Sequence, residues 1–203
     1  MHNPDKLSTG LSGSSVTPLR IATEEDLLNI VELESSSFSN TPFAGTELLF
    51  SPETIRKYFN HCPEAFRVIY QGSRLAGFSI IYPLNQQGVD DMLQHTPLSI
   101  LSMELSSLHN QFDDQIKAIY LEDVAAVSAV PNAVRLSLLR DLVETTRQYQ
   151  VPLYGTPITP SGMNLINHHG FLPLKEGGIG HVYVSVRGFS PMKRGNKTVN
   201  PEP

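Results

Sequence analysis

The sequence predicts one α/β domain in which helices flank a central sheet, and three observations predict it. β-rich runs alternate with stretches of helical periodicity along most of the chain. Two β-rich runs, 66–70 and 75–82, are joined by Gln71-Gly72-Ser73-Arg74, a turn sequence that reads as a hairpin. A strongly apolar strand candidate, 118–127, is followed after a short loop by a long helical run, 133–149.

Taken in order, residues 19–21 form a short strand. Thr23 then precedes Glu24, Glu25 and Asp26, an N-cap with acid in the first turn of a helix whose apolar face is Leu27, Ile30 and Val31. Ser51-Pro52 opens a second helix carrying Ile55, Tyr58 and Phe59 at i, i+3, i+4. After the hairpin, residues 83–115 interrupt the rhythm. Within them Thr96-Pro97 reads as a cap and first helical residue, and Leu98, Leu101, Leu105, Leu108 and Phe112 recur at 3-4-3-4 spacing, which predicts an amphipathic helix. That stripe packs on its own domain, makes a homodimer contact or forms a substrate lid.

The strand 118–127 comes next, and the helix behind it places Val134, Leu138, Leu142 and Tyr149 near one face, with Leu139 and Val143 widening the stripe. Residues 151–154 form a strand, 161–168 a short helix, and 171–174 with 181–186 the closing strands. Met1 to Thr17, rich in Ser, Gly and Asn, and the basic, proline-containing stretch 188–203 read as disordered tails around a domain spanning 18–187.

At 203 residues and 40% hydrophobic content the chain holds enough apolar surface for one core. The formal charge of −5, with 15 Lys and Arg scattered singly, offers no basic stripe and argues against nucleic acid. A single cysteine, Cys62, excludes an internal disulfide and fits a reducing compartment. No segment approaches the roughly 20 apolar residues that span a bilayer, and the first 17 residues hold no apolar signal core. The expectation is a cytoplasmic protein without a membrane partner.

Function is carried by residues 121–149. A buried strand that ends in a loop and opens directly into a helix builds an anion cradle, because the first N–H groups of the helix lack partners and point at the loop. That arrangement points to a phosphate-bearing ligand. The same strand carries Glu122 and Asp123, which alternation sends to opposite faces unless a bulge resets the phase. Either can serve as a proton acceptor in a cleft. Glu122 is favoured as the base and Asp123 is the alternative; both also have structural uses, pairing with Arg67 or Arg74 among them. Adjacent His61 and Cys62 at a helix end do not face each other, and no third ligand has recognisable spacing, so no metal site is expected.

This order of elements, with Leu19-Arg20-Ile21-Ala22-Thr23-Glu24-Glu25-Asp26-Leu27, Leu121-Glu122-Asp123-Val124-Ala125 and Asn167-His168-His169-Gly170-Phe171, resembles the GCN5-related N-acetyltransferase (GNAT) family over roughly residues 19–186. The resemblance implies a mixed, mostly antiparallel central sheet flanked by helices, with an extra helical insertion between the third and fourth strands. It implies acetyl-CoA or another acyl-CoA as co-substrate, no metal, and a small-molecule or peptide amine as acceptor. The fourth strand's end, Val124, Ala125, Ala126 and Val127, would pair with the pantetheine arm, and Asn132, Ala133, Val134, Arg135 and Leu136 would meet the pyrophosphate. Phe38, Phe43 and Tyr82 would shape the acceptor pocket.

The chain departs from that family at three places. The glycine-rich loop is replaced by Val130-Pro131-Asn132-Ala133-Val134-Arg135, where Arg135 either supplies charge to a phosphate or closes the cradle. Thr159 stands where members carry a coenzyme-binding Asn, and Ile166, which cannot donate a proton, where they carry a Tyr. These departures support a rival reading: a lapsed acyltransferase fold that works as a binding module through the Leu stripe.

Overall fold

A computed structural model of the chain describes residues 15–41, 44–95, 99–175 and 177–185. Twelve regular elements follow in order: β1 (Arg20–Ile21), α1 (Leu27–Phe38), α2 (Pro52–His61), β2 (Phe66–Gln71), β3 (Arg74–Leu84), α3 (Gln86–His95), β4 (Ala118–Ala126), α4 (Asn132–Tyr149), β5 (Leu153–Gly155), α5 (Pro160–His168), β6 (Leu172–Pro173) and β7 (Tyr183–Ser185). The strands form one sheet in the order β1-β2-β3-β4-β5-β7-β6. Every neighbouring pair is antiparallel except β4 and β5.

Helix starts follow local chemistry. Asp26 accepts from the Thr23 backbone N–H at 2.7 Å and is gripped by Arg20 at 2.7 and 3.0 Å, so the expected first helix begins with one 3-10 turn, Glu24–Asp26, ahead of α1. Ser51 caps α2 by accepting from the Thr54 N–H at 3.1 Å, with Pro52 at the first helical position.

The sheet separates two apolar layers. On one side α1 and α2 cover Phe66, Phe78, Ile80, Tyr82 and Tyr120, with Phe50, Tyr58, Phe66 and Tyr82 meeting edge to face at centroid distances of 5.9 to 6.3 Å. On the other side α4 and α5 cover Ile81, Ile119, Leu121 and Leu153 through Leu142 and Ile166. Leu138 and Val134 of α4 reach Ile69 and Ala76 beside them.

Two expectations are corrected. The inserted helix is α3, Gln86–His95, capped by Asn85, whose Oδ1 accepts from the Gly88 N–H at 3.1 Å. The leucine stripe after it folds as two 3-10 turns, Ile100–Ser102 and Leu105–Ser107, while Leu98 lies outside the described residues. Serine side chains divert the backbone there: Ser99 Oγ accepts from the Leu101 N–H at 3.1 Å and Ser102 Oγ donates to Ser99 O at 2.6 Å. Leu101, Leu105 and Phe112 pack on the chain's own core and Leu108 is buried in it, so the stripe forms no outward face. The second correction concerns the leading tail. Val16 bridges Gln71 and the Thr17 N–H donates to Tyr70 O at 2.8 Å, so the ordered part begins earlier than residue 18. Residues 1–14 and 186–203, which hold most of both expected tails, lie outside the described residues.

Gly88 shows how tightly the insertion docks. A Cβ added there would run into the Ser107 carbonyl and the Leu84 side chain. We therefore expect Gly88→Ala to destabilise the protein by about 1–3 kcal/mol, despite the better helix propensity of Ala. Urea denaturation measures this, and a variant as stable as the parent would contradict the close packing.

Candidate functional site

The site begins with one extra residue. Ile80 of β3 pairs with Asp123, yet Ile81 pairs with Leu121, which leaves Glu122 as an unmatched residue in β4. Such a bulge resets the alternation of the strand. Tyr120 faces the α1 side before it, and Asp123, beside Glu34 of α1, and Ala125 face the same side after it. Glu122 faces that side too, where it meets the inserted segment. The two carboxylates therefore share a face, which simple alternation does not allow.

The second feature is a splay. β5 pairs with β4 only at Ile119, Tyr120 and Leu121, opposite Leu153, Tyr154 and Gly155. From Glu122 onward, β4 keeps β3 on one edge and, among the described residues, no strand on the other. A cleft of about 830 Å³ opens there, walled by β4, the segment after β5, α5 and the end of α1. Gly155 lies at its apex and Arg74 and Arg135 on its rim.

Glu122 is half-buried on the cleft wall and accepts two hydrogen bonds, from Ser99 Oγ–H and from the Ile100 N–H at 2.9 Å. Burial, and then the charge of Asp123, push its carboxyl above the usual range, while the two hydrogen bonds pull it back. Asp123 is 7% exposed and Glu34 only 1% exposed. Glu34 accepts from the Phe50 N–H at 3.0 Å and lies within hydrogen-bonding reach of Asp123. Burial, followed by the charge of Asp123, drives Glu34 far above its ordinary value, so it stays protonated and donates to Asp123. Glu34 gave no signal in the sequence beyond being an acid on the helix face otherwise formed by Leu27, Ile30 and Val31.

The other anticipated residues divide. Val124, Ala125, Ala126, Val127 and Arg135 line the cleft. Asn132 and Ala133 are exposed at the start of α4, whose first turn carries no acid. Val134 is wholly buried, with its N–H donating to Pro131 O at 3.0 Å, and Leu136 is half exposed. Arg135 lines the opening with its guanidinium turned back on the loop, donating to Ser128 O at 2.9 Å and Val127 O at 3.4 Å.

Phe38 lines the cleft and Phe43 lies outside the described residues. Tyr82 is fully buried, its hydroxyl donating to Tyr58 O at 2.5 Å, so the expectation that it faces an acceptor is corrected: it is a core residue. Arg67 pairs with Asp141 at 3.5 Å and leaves Glu122 alone.

Thr159 lines the cleft, with its Oγ1 accepting from the Gly162 N–H at 3.0 Å to cap α5. Ile166 lies in the wall, 3% exposed. His168 and His169 stand ring to ring at 5.0 Å outside the cleft lining, and burial, then His168, lowers His169 to about 4. Cys62 is buried, which pushes its thiol up to about 12 and makes it inert. Among the described residues no group of three or more His, Cys, Asp or Glu has a metal-binding arrangement, and no helix is long and apolar enough to cross a membrane.

No family model matches the sequence, and no curated protein matches it. Solved structures do. The chain is similar to N-acetylglutamate synthase from Neisseria gonorrhoeae, a complex with coenzyme A and N-acetyl-glutamate, at TM-score 0.55 and 15% identity over 87% of this chain and 35% of that one. It is similar to an N-acetyltransferase from Staphylococcus aureus Mu50 at TM-score 0.50 and 15% identity, over 83% of this chain and 100% of that one. Ard1 from Thermoplasma volcanium gives TM-score 0.50 and 10% identity, over 83% and 94%. The chain spans about a third of the synthase, 35%, and 65% of the loading GNATL domain of CurA from Lyngbya majuscula. What these likenesses share is the fold: the chain adopts the GNAT fold, with its mostly antiparallel sheet flanked by helices.

The protonated state of Glu34 has a pH signature. With its folded value raised far above the ordinary 4.5, the native state holds a proton that the unfolded chain has lost, so stability falls as pH rises above about 4.5 toward the folded value. Glu34→Gln copies the neutral form. We expect its melting temperature to gain on the wild type steadily from pH 5 to pH 9, and a constant difference across that range would show Glu34 to be ionised in the fold.

Proposed function

We propose that this protein is an acyl-CoA-dependent N-acyltransferase, an N-acetyltransferase in the first instance, that transfers its acyl group to an amine by direct attack. One observation carries the reading: the splay of β4 from β5 opens a cleft that runs from Arg135, in the first turn of α4, to the carboxylate of Glu122. The solved structures with this fold include a complex with coenzyme A, which supports the same ligand here.

The residues fit such a substrate. The open edge of β4 from Glu122 to Ala126 offers main-chain groups to an extended amide-bearing arm. Its pyrophosphate would lie at the first N–H groups of α4, whose first two residues are Asn132 and the small Ala133. Arg74 and Arg135 add positive charge at that end.

When bound, an acyl-CoA supplies a thioester carbon open to attack. The chain's part is to hold the amine beside it and remove a proton, since an ammonium has no lone pair. Glu122 suits this, because burial makes it a stronger base than a free glutamate while it still borders the cleft. Asp123, facing the same side, favours a cationic acceptor before deprotonation. Ile166 gives the departing thiolate no proton, so the sulfur leaves as the anion or takes a proton from water; a thiol with pKa of about 8.5 permits either. Proximity in a ternary complex supplies most of the remaining rate. The rival binding-module reading rests on the three departures and takes the leucine stripe as its interface; among the described residues of that stripe, Leu101, Leu105 and Phe112 pack on the chain's own core and Leu108 is buried in it.

Calorimetry with acetyl-CoA tests the reading directly, and no heat at millimolar ligand would end it. Ala133→Asp, which sets an anion against the pyrophosphate position, should weaken acetyl-CoA binding about tenfold or more. Against a panel of primary amines, followed by release of free thiol, Glu122→Gln should lose about 10²- to 10⁴-fold in kcat/KM. Equal rates for the two would remove Glu122 from the chemistry.

A further inference from the structure

Among the described residues, the segment inserted between β3 and β4 reaches the cleft wall at Glu122. A carboxylate offers about four lone-pair sites. In Glu122 one oxygen accepts from the Ser99 hydroxyl and the other from the Ile100 N–H at 2.9 Å, which leaves the remaining sites for the cleft.

The grip is itself built into the core. Ser99 is 3% exposed, and its Oγ accepts from the Leu101 N–H at 3.1 Å, which directs the hydroxyl proton to Glu122. Its carbonyl accepts from Ser102 Oγ at 2.6 Å. The Ile100 carbonyl accepts from Tyr58 OH at 3.1 Å, and Tyr58 O in turn accepts from the buried Tyr82 hydroxyl at 2.5 Å. A chain of hydrogen bonds thus runs from the aromatic core through the insertion to the carboxylate.

We propose that this insertion is a working part of the site: Ser99 and the Ile100 amide clamp both oxygens of Glu122 and aim the carboxylate into the cleft, which makes Ser99 a positioning residue. The proposal rests on the acyltransfer reading for what the carboxylate does, and on the geometry for the clamp.

The groups facing Glu122 are Asp123 and Tyr120 on β4, Glu34 on α1, Tyr58 on α2 and Tyr82 on β3. Asp123 opposes its ionisation, Glu34 is neutral, and the three phenols are pushed upward by burial and stay neutral. Only the Ser99 and Ile100 bonds favour the charged form. Removing one must raise the pH at which Glu122 ionises.

The test needs no acceptor amine. Carboxyl-¹³C glutamate is incorporated, the Glu122 signal is identified by its loss in Glu122→Gln, and its titration is followed by NMR in the full chain. We expect the midpoint in Ser99→Ala to lie about one pH unit above the wild type. Ser99→Thr, which keeps the hydroxyl, should restore it. Tyr58→Phe, which loosens the Ile100 and Met103 peptides but leaves the Ser99 hydroxyl in place, should shift it in the same direction by less, and it serves if Ser99→Ala does not fold. An unmoved midpoint in these variants overturns the clamp. Acetyl-CoA titrated calorimetrically into the same proteins separates the two ideas: binding without the shift refutes the clamp alone, and the shift without binding refutes acyl transfer.

Discussion

One unmatched residue in β4 organises the molecule. Because Glu122 has no partner across from β3, the strand changes phase, and two adjacent acids turn to the same side of the sheet. That side already carries α1 and the inserted segment, so both must supply polar partners. Past Leu121 the strand also loses β5, and the resulting cleft reaches the start of α4.

Three carboxyl groups in so small a volume are costly to bury, and the fold limits the cost in two ways. Glu34 keeps its proton and becomes a donor, so Asp123 faces a neutral neighbour rather than a second charge. Glu122 keeps partial access to the cleft and takes two donors from the insertion. The arrangement ties α1, the chain before α2, β4 and the insertion to one cluster, since the Phe50 amide ends on Glu34 as well. A substitution at any of these groups is therefore felt at the others.

The departures from the GNAT pattern also have local structural explanations. In the loop that lacks glycines, Arg135 donates to two carbonyls, those of Val127 and Ser128. Thr159, in place of an amide side chain, caps the helix that follows. Ile166 completes the apolar layer with Leu121 and Leu142.

Periodicity along the chain was enough to read the hairpin, the strand at Glu122, the long helix behind it and the short junction between them, because each depends on neighbours a few residues away. The capped starts of α1 and α2 were legible for the same reason, through Thr23 with Asp26 and Ser51 with Pro52. What sequence spacing could not decide was anything set by pairing across the sheet. The bulge exists only relative to Ile80 and Ile81, so the shared face of Glu122 and Asp123 was invisible to alternation. Glu34 and Ser99 lie 89 and 23 residues from the acids they meet, distances over which no local pattern carries information. The leucine stripe had the right spacing for a helix, yet contacts with Tyr58 and Glu122 took its backbone groups and left two short turns. Tyr82 likewise looked available until the packing of Tyr58 and Phe66 enclosed it. Local chemistry determined the elements and the strand-to-helix junction; tertiary contacts decided which side chains face the cleft, because only they set the register of β4 and the partners of its acids.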